Sequence, residues 1–470
     1  MSHHMRKALI AAACAALALG PAQTSAQSAQ EQLDARYDRA LAAGYKALFL
    51  CSAIANAEAN GASRTPESVH QWELTGIYPT LDPIIRDLEW EITRYESDDG
   101  EGMIARVAVE YGDGEKRFAL YALEPGNGCA VQPIGFVPDP DQSAFILSGL
   151  PPIREHVWQD DPGALDGREL YRLSRDAFDG HYGEGSRTTG VVVLRQGALA
   201  LEEYAPDFGP NVPQRTWSVA KSVAATVVGA AVQRGDADVH ASAGLGVDEA
   251  DPRRVITIDH ALRMATGRYS DTPGNRTDPL YWGGTTVDER AANWPMLHEP
   301  GTVYRYANND TLAAIRAIRE SFDAHPPGQL FNLIGMTNTV AETDWQGGFV
   351  LSSQVWSTAR DLALLGQLHL DDGVLPDGTR ILPEGWVEYV STPSGPQPEG
   401  RSWGYGAGWW LFNNHEGIPT DTFFAAGNRG QYVVVVPSRD VVIVRRGEDM
   451  VGTRFDIEAF TRDILAALDE

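Results

Sequence analysis

Ser218 and Lys221 stand three residues apart at the start of an Ala/Val-rich run, Trp217 to Arg234, that ends at Gly235. The run reads as a helix, and a spacing of three puts both side chains on one face, one turn apart. A hydroxyl in the first turn also lies at the positive end of the helix dipole. This S-x-x-K therefore joins a serine oxygen, an amine within reach of its proton, and a local field that favours a developing oxyanion. A fold that uses the pair must bring the start of this helix to a cleft.

The lysine sharpens the reading. Of 38 Lys and Arg residues four are lysine (Lys7, Lys46, Lys116 and Lys221), and none follows Lys221. Arginine stays protonated near neutral pH, whereas a partly buried lysine can lose its proton and act as a base. Keeping lysine at this position points to a titratable amine.

With 470 residues the chain has room for more than one domain. Its formal net charge of −26 disfavours nucleic acid and anionic membranes as partners. A cationic substrate would suit that charge, as would a merely solubilising acidic surface. Met5-Arg6-Lys7, the apolar run Ala8 to Leu19 and the small residues Thr24-Ser25-Ala26 have the pattern of an export signal, residues 1–26, cut after Ala26. The run is too short to span a bilayer, and no later stretch reads as a span. Export implies a periplasmic or secreted protein in an oxidising compartment. The two cysteines beyond the signal, Cys51 and Cys129, are then expected to pair, the alternative being two separate buried thiols.

Residues 27–160 read as an N-terminal accessory unit. Gln30 to Asn60 has helical spacing. Met103 to Tyr111 and Lys116 to Leu123 alternate around a Gly112-Asp113-Gly114 turn, as a hairpin does. Pro138-Asp139-Pro140, Pro151-Pro152 and Asp160-Asp161-Pro162-Gly163 punctuate the chain before a larger domain, residues 161–470. That domain opens with a helix at Leu165 to Phe178 and a hairpin from Gly190 to Tyr204. A mostly helical middle follows from Val255. A second hairpin, Tyr432 to Arg446, precedes a final helix, Phe455 to Leu468. The order predicts an α+β fold, an antiparallel sheet flanked by helices plus an all-helical region.

Two further motifs fit the S-x-x-K. Tyr306 and Asn308 follow the Pro300-Gly301 turn and can point from one loop into one cleft. A tyrosine oxygen beside a lysine ammonium is expected to have a lowered pKa and to shuttle protons; packing and helix capping would explain the same residues. Ala425-Ala426-Gly427-Asn428-Arg429-Gly430-Gln431 leads into the last hairpin, where glycine lets a backbone approach a ligand. A backbone N–H here can supply a second oxyanion donor beside that of Ser218. A plain turn into an edge strand has the same composition.

S-x-x-K at Ser218, Y-x-N at Tyr306 and the Gly-x-x-Gly at Gly427, in that order, resemble the serine β-lactamase-like superfamily. It includes the class C β-lactamases, the D-alanyl-D-alanine carboxypeptidases and related esterases. Flanking phrases agree, among them Met264-Ala265-Thr266-Gly267, Ile334-Gly335-Met336 and Ala359-Arg360-Asp361-Leu362-Ala363. Thr216 to Ser222 and Gly430-Gln431-Tyr432 are most similar to the aminohexanoate-oligomer (nylon-oligomer) hydrolase branch. The resemblance covers about residues 165–470 and implies a β-lactamase/transpeptidase-like fold. It implies Ser218 as acylated nucleophile, Lys221 as its base, and Tyr306 as the group that works with Lys221 and protonates the leaving group. Asn308 would hold the lysine or a substrate amide, and the N–H groups of Ser218 and Asn428 would form the oxyanion hole. Gly427 and Gln431 belong to the same substrate-side segment. No metal or other cofactor is implied.

One departure bears on substrate. Penicillin-recognising members carry Lys-Thr-Gly or His-Thr-Gly where this chain has Ala425-Ala426-Gly427. That favours esters or uncharged small-molecule amides over β-lactams and D-amino-acid peptides. The nylon-oligomer branch also lacks the Lys-Thr-Gly and adds a tyrosine from the helical middle, a position that Tyr269 or Tyr281 can fill. Gly400-Arg401-Ser402-Trp403-Gly404 is a literal G-x-S-x-G, but a Pro/Gly-rich loop precedes it and a strand follows, unlike a nucleophile elbow. The histidines show no paired metal spacing. The reading is a serine hydrolase. Its rivals are a penicillin-interactive enzyme and a non-catalytic binding protein on the same fold.

Overall fold

The computed structural model describes residues 21–97, 100–122, 128–138, 156, 158–161, 168–270 and 277–469. Most of the expected export signal (residues 1–20), Pro151-Pro152 and the Pro162-Gly163 boundary lie outside them. Helix α1, Pro21–Ala59, starts ahead of the expected cut after Ala26 and packs on a four-stranded antiparallel sheet. The strands are β1 (Trp90–Ser97), β2 (Gly100–Gly112), β3 (Glu115–Tyr121) and β4 (Cys129–Val131), in that order. The stretch Ser28–Ala59 is long and apolar enough to cross a membrane, contrary to the sequence expectation, yet its most apolar window is wholly buried inside the protein. It is a core helix here.

Cys51 on α1 and Cys129 on β4 form a disulfide. It fastens the helix to the last strand of its sheet across a sequence separation of 78. Replacing both cysteines by serine should lower stability by about 2–4 kcal/mol, because the unfolded chain loses a long covalent loop. The urea midpoint measures this, and an unchanged midpoint would show that the bridge adds nothing.

Beyond residue 168 the principal feature is a seven-stranded antiparallel sheet, in the order β10-β11-β12-β13-β14-β5-β6. Its strands are β5 (Thr188–Arg195), β6 (Ala198–Tyr204), β10 (Gly404–Tyr405), β11 (Trp410–Leu411), β12 (Phe423–Gly427), β13 (Gln431–Val436) and β14 (Val441–Gly447). A small sheet of β7 (Gln214–Arg215), β9 (Val355–Ser357) and β8 (Val340–Ala341) lies beside it in sequence between the two hairpins. The Val-rich strands are apolar without a break because both faces are covered. Val192, Leu194, Val433, Val435, Val442 and Val444 face one core, which holds the nucleophile helix; Val191, Val193, Val434 and Ile443 face the other. Register agrees: Val433 pairs with Val444, which pairs with Val192.

The second face is closed by α2 (Arg168–Phe178) and, at the far end of the chain, Ile457–Ala467. The first is closed by α3 (Ala220–Arg234) and by Ala359–Leu370. The helical middle contributes α4 (Asn308–Ala317) and several shorter helices. This is the expected α+β, β-lactamase/transpeptidase-like fold. The N-terminal layer shares a core with it. Tyr45 and Phe49 of α1 stack at 4.3 Å, and around them lie Trp217, Trp282 and Trp356. Arg215, fully buried, lies 4.3 Å from the Trp217 ring centroid and 5.1 Å from that of Phe49.

Candidate active site

Helix α3 is apolar on every side and buried, and Gly235 ends it in the left-handed region at φ 83°. A short 3-10 turn, Trp217–Val219, leads into it. Trp217 has φ 50°, a conformation that is costly for a bulky residue and held here by its packing. From 212 to 231, Ser218 alone escapes full burial. The fold thus opens its central helix to the surface at the serine.

Lys221, 1% exposed, sits one turn below. Its Nζ lies 3.1 Å from Ser218 Oγ, 2.6 Å from Asn308 Oδ1 and 2.9 Å from the Ser352 carbonyl oxygen. Burial lowers its pKa to about 7. Asn308 begins α4, and its amide donates from Nδ2 to Thr277 Oγ1 at 2.7 Å, which turns its oxygen toward the lysine. A neutral amine has two N–H bonds and one lone pair. When Lys221 is neutral, the two carbonyl oxygens can take its N–H bonds, which leaves its lone pair for the serine proton.

Tyr306 comes from the loop before α4. Its ring centroid lies 4.9 Å from Lys221 Nζ, and its hydroxyl is close enough to Ser218 to feel that side chain electrostatically. Here the expectation of an acidified tyrosine is reversed. Burial raises the Tyr306 pKa, and the interaction with Ser218 offsets only part of that. The lysine beside it is itself shifted toward its neutral form, so it supplies little positive charge. Tyr306 is therefore a phenol near neutral pH. Trp410 stacks on it at 5.2 Å.

The end of β12 passes the nucleophile turn closely. A Cβ on Gly427 would meet the Thr216 carbonyl oxygen at 2.3 Å and the Ser218 nitrogen at 3.2 Å. Asn428 follows, exposed on the turn into β13. Of the two middle-region tyrosines, the structure brings Tyr281 to the site. It is buried, its hydroxyl is 2.8 Å from Ser352 Oγ, and desolvation pushes its pKa up to about 12. Tyr269 is 45% exposed and packs with Trp294 instead. Gln431 is fully buried, and its amide accepts from Arg446 Nε at 2.6 Å and donates to the Gly447 carbonyl. Its side chain braces the sheet rather than facing Ser218. Ser402 lies far along the chain on a loop that runs into β10, so a strand and not a helix directly follows it. Ser352, Thr277 and Trp410 are site residues that no motif marks. Among the described residues no cluster of His, Cys, Asp and Glu has a metal-binding arrangement.

The sequence profile of the Beta-lactamase family matches residues 175–468, more than half of the chain. The chain belongs to the β-lactamase family. Within the family it is similar to 6-aminohexanoate-dimer hydrolase of Paenarthrobacter ureafaciens, at 27% identity over 306 residues, 56% of this chain and 73% of that protein. Penicillin-binding protein 4 of Amycolatopsis lactamdurans is 26% identical over 296 residues, 53% of this chain and 76% of that one. The crystal structure of a family VIII carboxylesterase matches in fold, with a TM-score of 0.51 at 16% identity over 66% of this chain and 98% of that one. The chain thus shares its family with proteins named a 6-aminohexanoate-dimer hydrolase and a penicillin-binding protein, and its fold with a carboxylesterase; members of the family are mostly serine hydrolases.

Proposed function

We propose that this chain is a serine hydrolase that cleaves an ester or a small linear amide through an acyl-enzyme on Ser218. The observation that carries the reading is the buried Lys221, whose Nζ lies 2.6 Å from Asn308 Oδ1, 2.9 Å from the Ser352 carbonyl oxygen and 3.1 Å from Ser218 Oγ. In the reaction Lys221 takes the Ser218 proton as Oγ bonds to the carbonyl carbon. The oxyanion forms against the backbone N–H groups of Ser218 and Asn428. Tyr306 gives its proton to the leaving oxygen or nitrogen as that bond breaks, and the proton on Lys221 replaces it. Water then attacks the acyl carbonyl by the same steps reversed.

The substrate class rests on two supports. Ala425-Ala426-Gly427 lacks the cation and hydroxyl that would hold a β-lactam carboxylate, and 6-aminohexanoate-dimer hydrolase is among the relatives. We read residues 27–160 as an accessory unit on the hydrolase domain 161–470. The disulfide and the N-terminal apolar segment suit export to the periplasm or beyond.

The test is intact mass after brief exposure to 4-nitrophenyl acetate, with Ser218→Ala alongside. An acetyl adduct on the wild type with burst release of nitrophenolate, and none on the variant, is the expected result. Equal adducts on both would reject Ser218. Steady turnover of a chromogenic cephalosporin at rates matching the ester would move the reading to a penicillin-interactive enzyme.

A further inference from the structure

The turn that carries Asn428 is gripped on two sides. One side is the nucleophile turn, through the close approach of Gly427 to Thr216 and Ser218. The other is the N-terminal layer. Asn428 Nδ2 donates to the Tyr78 hydroxyl at 3.3 Å. The next residue, Arg429, is buried, pairs with Glu448 at 2.6 Å, and donates to the carbonyl oxygens of Trp72 at 2.7 Å and Thr75 at 3.0 Å. Val451 N–H donates to the Gly76 carbonyl at 2.8 Å. The segment 72–78 is thus clasped to the end of the catalytic sheet. The Tyr78 ring in turn stands edge-on to Trp217, centroids 6.4 Å apart, and against Trp282 at 5.7 Å. Trp217 is the residue held at φ 50° just before the nucleophile.

Tyr78 therefore touches side chains on both turns whose N–H groups would form the oxyanion hole: Asn428 through its hydroxyl, and Trp217, the residue before Ser218, through its ring. We propose that Tyr78 is a positioning residue for acyl transfer, so that the N-terminal layer completes the active site rather than decorating it. The inference rests on the acyl-enzyme reading above. Its physical basis is that oxyanion donors act on charge present only in the transition state, and a small displacement of either N–H weakens that stabilisation. Loss of the Tyr78 hydroxyl should then lower kcat and leave KM nearly unchanged.

The experiment uses the full chain and 4-nitrophenyl acetate, with Tyr78→Phe, Asn428→Ala and the double variant, and Tyr78→Ala as a fourth protein. Asn428→Ala keeps the backbone N–H and removes only the side-chain contact. Tyr78→Phe and Asn428→Ala should each lower kcat and the acylation burst rate about three- to tenfold, the factor a neutral hydrogen bond supports. The double variant should be no slower than the slower single one, because both remove one interaction. Tyr78→Ala should be slower again, since it also frees Trp217. The melting temperature of Tyr78→Phe should stay with the wild type. Wild-type kcat in Tyr78→Phe, or losses that follow melting temperature or simply multiply in the double variant, would overturn the proposal alone, provided Ser218→Ala is dead. A Ser218→Ala variant as active as the wild type would overturn the acyl-enzyme reading and this inference with it.

Discussion

Replacing Lys221 with arginine should lower kcat for ester hydrolysis by about 10²–10⁴-fold, the range general-base catalysis supplies. Arginine keeps a cation at the site but cannot release a proton near neutral pH, so no lone pair is available 3.1 Å from Ser218 Oγ to take its proton. In the wild type the base must be neutral to act. Activity should rise with pH, and the acid limb of kcat/KM should have an apparent pKa near the value of about 7 to which burial lowers Lys221. Stability carries the same signature. An unfolded lysine titrates near about 10.4. Between that value and the folded-state value of about 7, the unfolded chain binds a proton that the folded chain does not. This group's contribution to stability therefore rises with pH across that window and is lost as pH falls through it. A flat pH profile through neutrality, or near-normal turnover in Lys221→Arg, would remove Lys221 as the base.

The parts of the site that were legible in the sequence are those whose chemistry is local. A three-residue spacing at a helix start needs no tertiary information, and the scarcity of lysine singles out Lys221 without reference to any contact. The strands around Val433 and Val442 were legible because burial on both faces leaves an unbroken apolar run. What depends on burial was not legible. Tyr306 lies beside an amine, which suggests an acidic phenol, but desolvation outweighs it and raises the pKa. Tyr269 and Tyr281 look alike in sequence, and only their exposure separates them. Gln431 stands in a motif phrase, yet Arg446 and Gly447 hold its amide. Ser352 acts mainly through its backbone carbonyl, Thr277 through one oxygen that orients Asn308, and any residue type could hide such a role. The core shared by α1 and the nucleophile turn needed the fold itself, since its partners lie more than a hundred residues apart.

Replacing Gly427 with alanine should lower kcat by about 10²–10³-fold, the loss expected when an oxyanion donor is displaced. The added methyl would meet the Thr216 carbonyl oxygen at 2.3 Å and the Ser218 nitrogen at 3.2 Å, and both are backbone atoms that cannot swing aside. Relief requires β12 to move away from the nucleophile turn, which carries the Asn428 N–H out of line with that of Ser218. Such overpacking should also cost about 1–3 kcal/mol of stability, far less than would unfold a domain of this size. A second glycine separates the two effects. Gly328, in the helix Pro327–Leu333, has nothing within 4 Å of an added Cβ, so Gly328→Ala should hold or slightly raise stability and leave turnover unchanged. Burst-phase acylation by 4-nitrophenyl acetate reads the first effect and the urea midpoint the second. Because ground-state binding does not depend on the oxyanion, KM should change little in Gly427→Ala while the burst slows. A burst within twofold of the wild type would mean that β12 can retreat without disturbing the reacting carbonyl, and the second oxyanion donor would then have to be sought elsewhere than Asn428.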